Sequence, residues 1–126
     1  MTEFSEKMQQ YPERGEIWLT ALEPVKGSEI GKTRPALVIS NNKNNEFSST
    51  ITVIPITSSL EKVYPFEVAI LKYKTGLKSD SKIKCNQIRT VDRERLIKPL
   101  NKISMQIMKK VENALLIHLE INNSDF

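Results

Sequence analysis

From Glu16 onward the chain reads as short apolar runs separated by polar loops, and only near its end does the apolar spacing lengthen to three and four residues. Residues 16–22, Glu-Ile-Trp-Leu-Thr-Ala-Leu, are apolar, partly β-branched and closed by Pro24, which predicts a first strand. Residues 36–40 form a short continuous apolar run, the pattern of a strand buried on both faces, and Asn41-Asn42-Lys43-Asn44-Asn45 ends it. A third strand is expected over residues 49–59, where Ile51 and Val53 alternate with Thr50 and Thr52. Pro55 has no N–H for a ladder, so this strand should fray or bulge there and leave the hydroxyls of Thr57, Ser58 and Ser59 at its mouth. Residues 66–70 alternate as a fourth strand. Residues 82–86 alternate as a fifth, with Ile83 and Cys85 inward and Lys82 and Lys84 outward, and a tight turn at Thr75-Gly76-Leu77 joins the two. Residues 87–91 either continue the fifth strand or start another, and residues 93–97 read as one more before Pro99. Ser104 then suits a helix N-cap, and Met105, Met108, Val111, Leu115 and Leu119 make one apolar stripe that Asn122-Asn123 stops. Many short strands followed by one helix predict a mainly β protein, a small and strongly bent antiparallel sheet or partly open barrel whose edge the helix covers.

Residues 1–13 set Glu3, Glu6 and Glu13 against Lys7 without a sustained apolar period, and are expected to form a loosely attached extension to a domain at 14–121, with a tail at 122–126. A length of 126 residues, 39% of them hydrophobic, suits one core. No apolar run is long enough for a bilayer, and the N-terminus lacks the basic start and apolar centre of a signal peptide, so a cytoplasmic protein without membrane contact is expected. The single cysteine, Cys85, excludes an internal disulfide and a multi-cysteine zinc site, and its place in the alternation points to packing. The net charge of +4 permits binding to a polyanion without requiring it.

Candidate chemistry centres on Gly27-Ser28-Glu29-Ile30-Gly31-Lys32-Thr33-Arg34-Pro35. Pro35 restricts Arg34 to extended angles, so a planar guanidinium is presented at a loop-to-strand junction. Such a group suits a phosphate or a carboxylate; the plainer reading is a strand-opening arginine paired with a surface acid. A basic belt of Lys72, Lys74, Lys78, Lys82 and Lys84, followed by Arg89, Arg93 and Arg95, is either a solvated face or a groove that tracks a phosphate backbone. The single histidine, His118, lies on the predicted helix and excludes a two-histidine acid/base pair within one chain. No His/Cys/Asp cluster has metal-ligand spacing, and no cofactor is expected. Gly27 to Thr33 is one residue too short for a phosphate loop and precedes a strand instead of a helix.

Five segments in order carry a family resemblance: Arg14-Gly15-Glu16-Ile17-Trp18; Gly27-Ser28-Glu29 with Thr33-Arg34-Pro35-Ala36-Leu37-Val38-Ile39-Ser40; Val53-Ile54-Pro55-Ile56-Thr57-Ser58; Tyr64-Pro65-Phe66-Glu67-Val68; and Gln87-Ile88-Arg89-Thr90-Val91-Asp92-Arg93-Glu94-Arg95-Leu96. In these the chain resembles the MazF/PemK family of bacterial toxin endoribonucleases over residues 14–121. The resemblance implies an SH3-like barrel of the toxin type, a homodimer, and metal-independent, sequence-selective cleavage of single-stranded RNA. It implies catalytic roles for Arg34 and Thr57: the ribose 2′-hydroxyl attacks the adjacent phosphate, Arg34 clamps the phosphorane charge and orients or protonates the leaving oxygen, and Thr57 holds a non-bridging oxygen. An arginine stays protonated at ordinary pH, which favours the clamp over the proton donor. Gly27, Ser28 and Glu29 would flank the scissile site, Glu29 either orienting Arg34 or contacting a base. Gln87 and Arg89 would hold RNA or line the dimer groove. The implied partner is an antitoxin whose acidic tail occupies the RNA groove, with DNA met only through the antitoxin complex.

Lys82 and Lys84 depart from the family pattern, where apolar or small residues are more common, as does Asn86, where an acid is common. Two alternatives stand beside the ribonuclease: a non-catalytic poison like the related CcdB toxins, which bind DNA gyrase, and a plain RNA-binding barrel.

Overall fold

One strand changes partners half-way along its length, and that exchange bends the whole sheet. In the computed structural model, which describes residues 10–122, seven strands form: β1 Glu16–Ala21, β2 Thr33–Val38, β3 Thr50–Thr57, β4 Glu67–Ile70, β5 Ser81–Lys84, β6 Arg89–Asp92 and β7 Leu96–Lys102. Three helices join them, α1 Asn42–Phe47, α2 Lys72–Thr75 and α3 Met105–Leu119. β3 pairs with β2 along one flank, Val53 to Pro55 facing Val38 to Ala36. Along its other flank Thr50 to Val53 pair with β6, whereas Ile56 and Thr57 pair with β5. The handover falls at Ile54 and Pro55, so the residue without an N–H sits where the strand changes partners. Contrary to the expected fraying, β3 continues through Pro55, and Thr57 stands in the ladder opposite Lys82.

The antiparallel sheet runs β4-β5-β3-β2-β1-β7, with β6 beside β3, and among the described residues no pairing joins β4 to β7, so it bends without closing. The expected mainly β fold with one long C-terminal helix is present. Residues 87–91 do not simply prolong β5: a 3-10 turn at Cys85–Gln87 intervenes and β6 is a separate strand. β7 runs through Pro99, which an edge strand paired only with β1 tolerates. The asparagine run is a helix, not merely a strand end. Asn41 Oδ1 accepts the Asn44 N–H at 2.8 Å as N-cap, and buried Asn45 exchanges hydrogen bonds with the Ser40 hydroxyl (2.5 Å) and carbonyl (2.9 Å). Between β4 and β5 the expected tight turn is α2, closed by left-handed Gly76 at φ 72°.

Apolar residues fill both faces of the sheet. Ile17, Leu37, Ile54, Ile56 and Ile83 lie on one face, covered by Ile107, Val111 and Ala114 of α3. Trp18, Leu22, Ala36, Val38, Ile51, Val53, Val91 and Leu96 form a second cluster. Ser104 Oγ caps α3 by accepting the Ile107 N–H at 3.2 Å. The helix ends at Leu119, before the expected asparagines, because Glu120 turns left-handed and the Ile121 N–H returns to the Leu116 carbonyl at 2.9 Å. His118 is exposed, its ring tilted against Phe66 at 6.4 Å. Among the described residues no helix is long and apolar enough to cross a membrane.

Candidate functional site

The connection from β1 to β2, residues 22–32, folds back on the sheet because its backbone finds partners at both ends. The Leu22 N–H donates to the Lys32 carbonyl at 2.9 Å, the Lys32 N–H donates to Glu23 Oε1 at 2.6 Å, and Ile30 packs on the second core cluster. Three side chains from the β6 region pin it from below. Gln87 Oε1 accepts the Ile30 N–H at 3.3 Å, Arg89 Nη1 donates to the Leu22 carbonyl at 3.1 Å, and Arg95 Nη1 donates to the carbonyls of Ala21 and Glu23. Gln87 and Arg89 are thus brought to the loop that carries Gly27, Ser28 and Glu29, but as its supports. Arg95 belongs with them; the basic belt and the last resemblance segment include it, but neither gave it a role.

Within that loop Gly27 (φ 60°), Ser28 and Glu29 are exposed. Glu29 does not orient Arg34: its Oε1 accepts the Lys26 N–H at 2.6 Å and closes its own turn. Arg34 is tied by Nε, which donates to the Gly31 carbonyl at 2.8 Å, and none of the described residues offers an acceptor to its terminal amino groups. The guanidinium is therefore held by one edge, with its two-pronged end open to a ligand. The plainer reading, in which a surface acid neutralises Arg34, does not hold among the described residues.

The β2–β3 pairing ends at Ala36↔Pro55, and Arg34 and Thr57 each lie two residues past it, so alternation puts both side chains on one face at the same end of the sheet. No described residue occupies the Thr57 hydroxyl. The neighbouring face of the same strand end opens into a cavity of about 450 Å³. Arg34 lies at its wall, Leu19, Pro35 and Ile56 form an apolar floor, and Ser58, Lys78, Ser79 and Lys98 supply polar groups without any carboxylate. Thr57 does not line this cavity; the hydroxyl that does is Ser58. Lys98 was missed in the sequence because it stands alone between Ile97 and Pro99, outside the belt.

Lys82 and Lys84 do not point to solvent as their alternation predicted. Lys82 is buried and its Nζ lies 3.2 Å from Glu67 Oε1, while Lys84 Nζ lies 2.9 Å from Oε2 of the same carboxylate. Alternation reports side, not burial, and a lysine can turn inward when a neighbouring strand offers a buried acid. Burial pushes the Glu67 carboxyl up, but the Tyr64 N–H and the two ammonium groups outweigh it and hold it below its usual range. On the opposite face Cys85 is fully buried, and burial together with the Glu67 charge raises its thiol to about 12, in keeping with a packing role.

These features define a small bent β protein whose sheet end presents an open guanidinium, with a threonine on the same face and a cation-rich cavity beside it. The chain belongs to the family described as PemK-like, MazF-like toxin of type II toxin-antitoxin system, whose model matches residues 13–119. It is 43% identical over 113 residues to the endoribonuclease MazF of Staphylococcus epidermidis, covering 89% of this chain and 94% of that one. It is 41% identical to the endoribonuclease MazF9 of Mycobacterium tuberculosis, covering 86% and 96%. A crystal structure of MazF from Deinococcus radiodurans superposes with a TM-score of 0.78 at 26% identity, covering 88% and 98%; a MazE–MazF structure from the same organism superposes at 0.68, also at 26% and with the same coverage.

Proposed function

We propose that this chain is the toxin of a type II toxin-antitoxin pair and acts as an endoribonuclease on single-stranded RNA, with Arg34 and Thr57 as its catalytic residues. The observation that carries the reading is Arg34: fixed through Nε, open at both terminal amino groups, and on the same face and at the same end of the sheet as Thr57. The substrate's own 2′-hydroxyl supplies the nucleophile. Its oxygen bonds to the adjacent phosphorus as its proton passes to water, and the P–O5′ bond breaks with its electron pair on the departing oxygen, which takes up a proton from water. The products are a 2′,3′-cyclic phosphate and a 5′-hydroxyl. Arg34 faces the non-bridging oxygens as charge accumulates on the phosphorane, and the Thr57 hydroxyl donates to one of them. Neither role needs a metal or cofactor. The cavity beside Arg34 receives a flanking nucleotide, its base against Leu19, Pro35 and Ile56 and its phosphate near Lys78 and Lys98.

Gly27, Ser28 and Glu29 border the RNA path, and Gln87 and Arg89 serve it by holding that border in place. An antitoxin with an acidic tail is the matching partner, because the lining contains lysines and an arginine but no acid. A cytoplasmic homodimer completes the proposal; the edge strand β7 leaves Ile97 and Leu100 exposed, which supports a second copy as neighbour. The endoribonuclease names of the two relatives favour this reading over gyrase binding.

The test incubates the protein in EDTA with a mixed-sequence RNA and its DNA counterpart, beside Arg34→Ala and Thr57→Ala. RNA alone is cut, leaving 5′-hydroxyl ends, and both variants lose the activity. Intact RNA after treatment with folded wild-type protein would sink the reading.

A further inference from the structure

β3 and β4 both run antiparallel to β5 and so parallel to each other, which forces the intervening residues 58–66 to cross back over β5. Parallel connections of this kind are commonly filled by a helix, and this one has none. Its support comes from side chains beneath it. In β5, Lys82 lies opposite Thr57 on one side and Ala69 on the other, and Lys84 lies opposite Glu67, so Thr57, Lys82, Lys84 and Glu67 share one face. The crossing segment lies over that face. Lys82 Nζ donates to the Lys62 carbonyl and to Glu67 Oε1 at 3.2 Å, and the Tyr64 N–H donates to the same carboxylate oxygen at 3.0 Å. The side chain of Glu67 is fully buried and that of Lys82 is 7% exposed.

A buried ion pair is seldom the most stable filling for such a site, since an apolar side chain of similar length would avoid the desolvation. What Lys82 adds is a fixed bond to one backbone carbonyl in a segment that begins directly after Thr57. That segment carries an exposed cation and ring together, Lys62 Nζ standing 5.1 Å from the centre of the Tyr64 ring. A ring with a neighbouring cation suits the base and phosphate of a single-stranded nucleotide.

We propose that Lys82, held by Glu67, is a positioning residue for RNA cleavage, clamping residues 58–66 across β5 as the wall of the RNA groove next to Thr57. The proposal rests on the ribonuclease reading and deepens it. Lys82 touches no RNA; it acts through the Lys62 carbonyl, and Thr57 keeps its place in the β3 ladder without it.

The test compares wild type with Lys82→Met and Lys82→Arg by amide hydrogen exchange of the free protein and by steady-state cleavage of a single-site RNA oligonucleotide. In Lys82→Met the peptide covering residues 59–66 exchanges about tenfold faster while β1 to β3 are unchanged. KM rises about tenfold with kcat within about twofold, because a binding wall is loosened and the catalytic pair is not. Lys82→Arg, still able to reach the carbonyl, restores both. Should Lys82→Met fold poorly, the uncharged double variant Glu67→Gln/Lys82→Met leaves no unpaired glutamate and gives the same two readouts. Unchanged exchange would overturn the clamp, and faster exchange with unchanged KM would overturn the role in the groove. The exchange readout needs no RNA, so failure of wild type to cut RNA strikes the ribonuclease reading while the clamp is still judged separately.

Discussion

Arg34 differs from an ordinary surface arginine in how its five donors are divided: one edge is used inside the protein and the other is left for a ligand. A lysine there would keep the charge but lose both the bond to the Gly31 carbonyl and the paired geometry. Arg34→Lys should therefore lower RNA cleavage by about 10²–10³-fold, the usual effect of removing a positioned oxyanion donor. Its unfolding free energy should fall by no more than about 1 kcal/mol, the net worth of one hydrogen bond. Cleavage within tenfold of wild type would show that charge alone suffices. Glu67 is a residue whose ionisation bears on folding. Its folded carboxyl titrates below the ordinary 4.5, so its stabilisation is fully present above that value and is lost as pH falls through the lower folded one. Melting temperatures measured downward from pH 6 should drop more steeply for wild type than for Glu67→Gln once pH passes below about 4.5. At neutral pH, Glu67→Gln should cost about 3–5 kcal/mol, because it strands the Lys82 ammonium in the interior.

Most of the strands, the Ser104 cap and the middle of the helical stripe were legible because each rests on a local signal, a period of two, a period near 3.6, or one hydroxyl before an apolar run. The ends of the stripe were not, since Met105 and Leu119 are exposed while Ile107 and Ala114 are buried, and the strand expected over 93–97 is a 3-10 turn until Leu96. So was the Arg-Pro junction, since proline restricts its neighbour wherever it occurs. What could not be read was partner choice. Pro55 announces an irregularity, but nothing local says that β3 exchanges β6 for β5 there and keeps its ladder with β2. Lys82 and Lys84 alternate as an outward face does, and only their register against Glu67 of another strand explains why one of them is buried. Gln87 and Arg89 stood among the candidate residues, but their use as supports of a loop about sixty residues earlier in the chain was not legible. Gly76 shows the same division. Its left-handed φ of 72° is a property glycine suggests, whereas the Asn101 amide, 2.6 Å from where a Cβ would stand, arrives from β7. Gly76→Ala has to adopt the left-handed conformation and also displace an amide that donates to the Thr75 carbonyl. It should destabilise by about 1–3 kcal/mol by chemical denaturation, counting the backbone penalty and the weakened hydrogen bond together. An unchanged unfolding midpoint would mean that α2 and its cap can shift at no cost.

At the scale of the whole molecule the charge is small, 19 basic against 15 acidic residues, and what matters is how it is sorted. Glu67 is spent on Lys82 and Lys84 beneath the crossing segment, and Glu112 and Glu13 pair with Arg14 and Lys102, away from the cavity lining. The cavity end of the sheet keeps Arg34, Lys78 and Lys98 without a carboxylate among its lining residues, so a molecule of modest net charge presents a concentrated positive field at one end. An RNA strand laid there would displace counterions only where those cations meet its phosphates. With three such contacts, and about 0.7 ions released per single-strand phosphate neutralised, the logarithm of the binding constant should fall with the logarithm of salt concentration at a slope near −2. Lys78→Ala and Lys98→Ala should each make that slope shallower by about 0.7 while leaving the preferred cleavage site unchanged, because phosphate contacts position a strand without reading its bases. A DNA strand of the same sequence should show nearly the same slope and no cleavage, since it offers the same phosphates but lacks the 2′-hydroxyl that must attack. Fluorescence anisotropy at several salt concentrations measures all four slopes. A wild-type slope near zero would place the RNA on some other face, whereas a slope near −2 that neither lysine variant changes would keep the electrostatics and move the contacts away from this cavity.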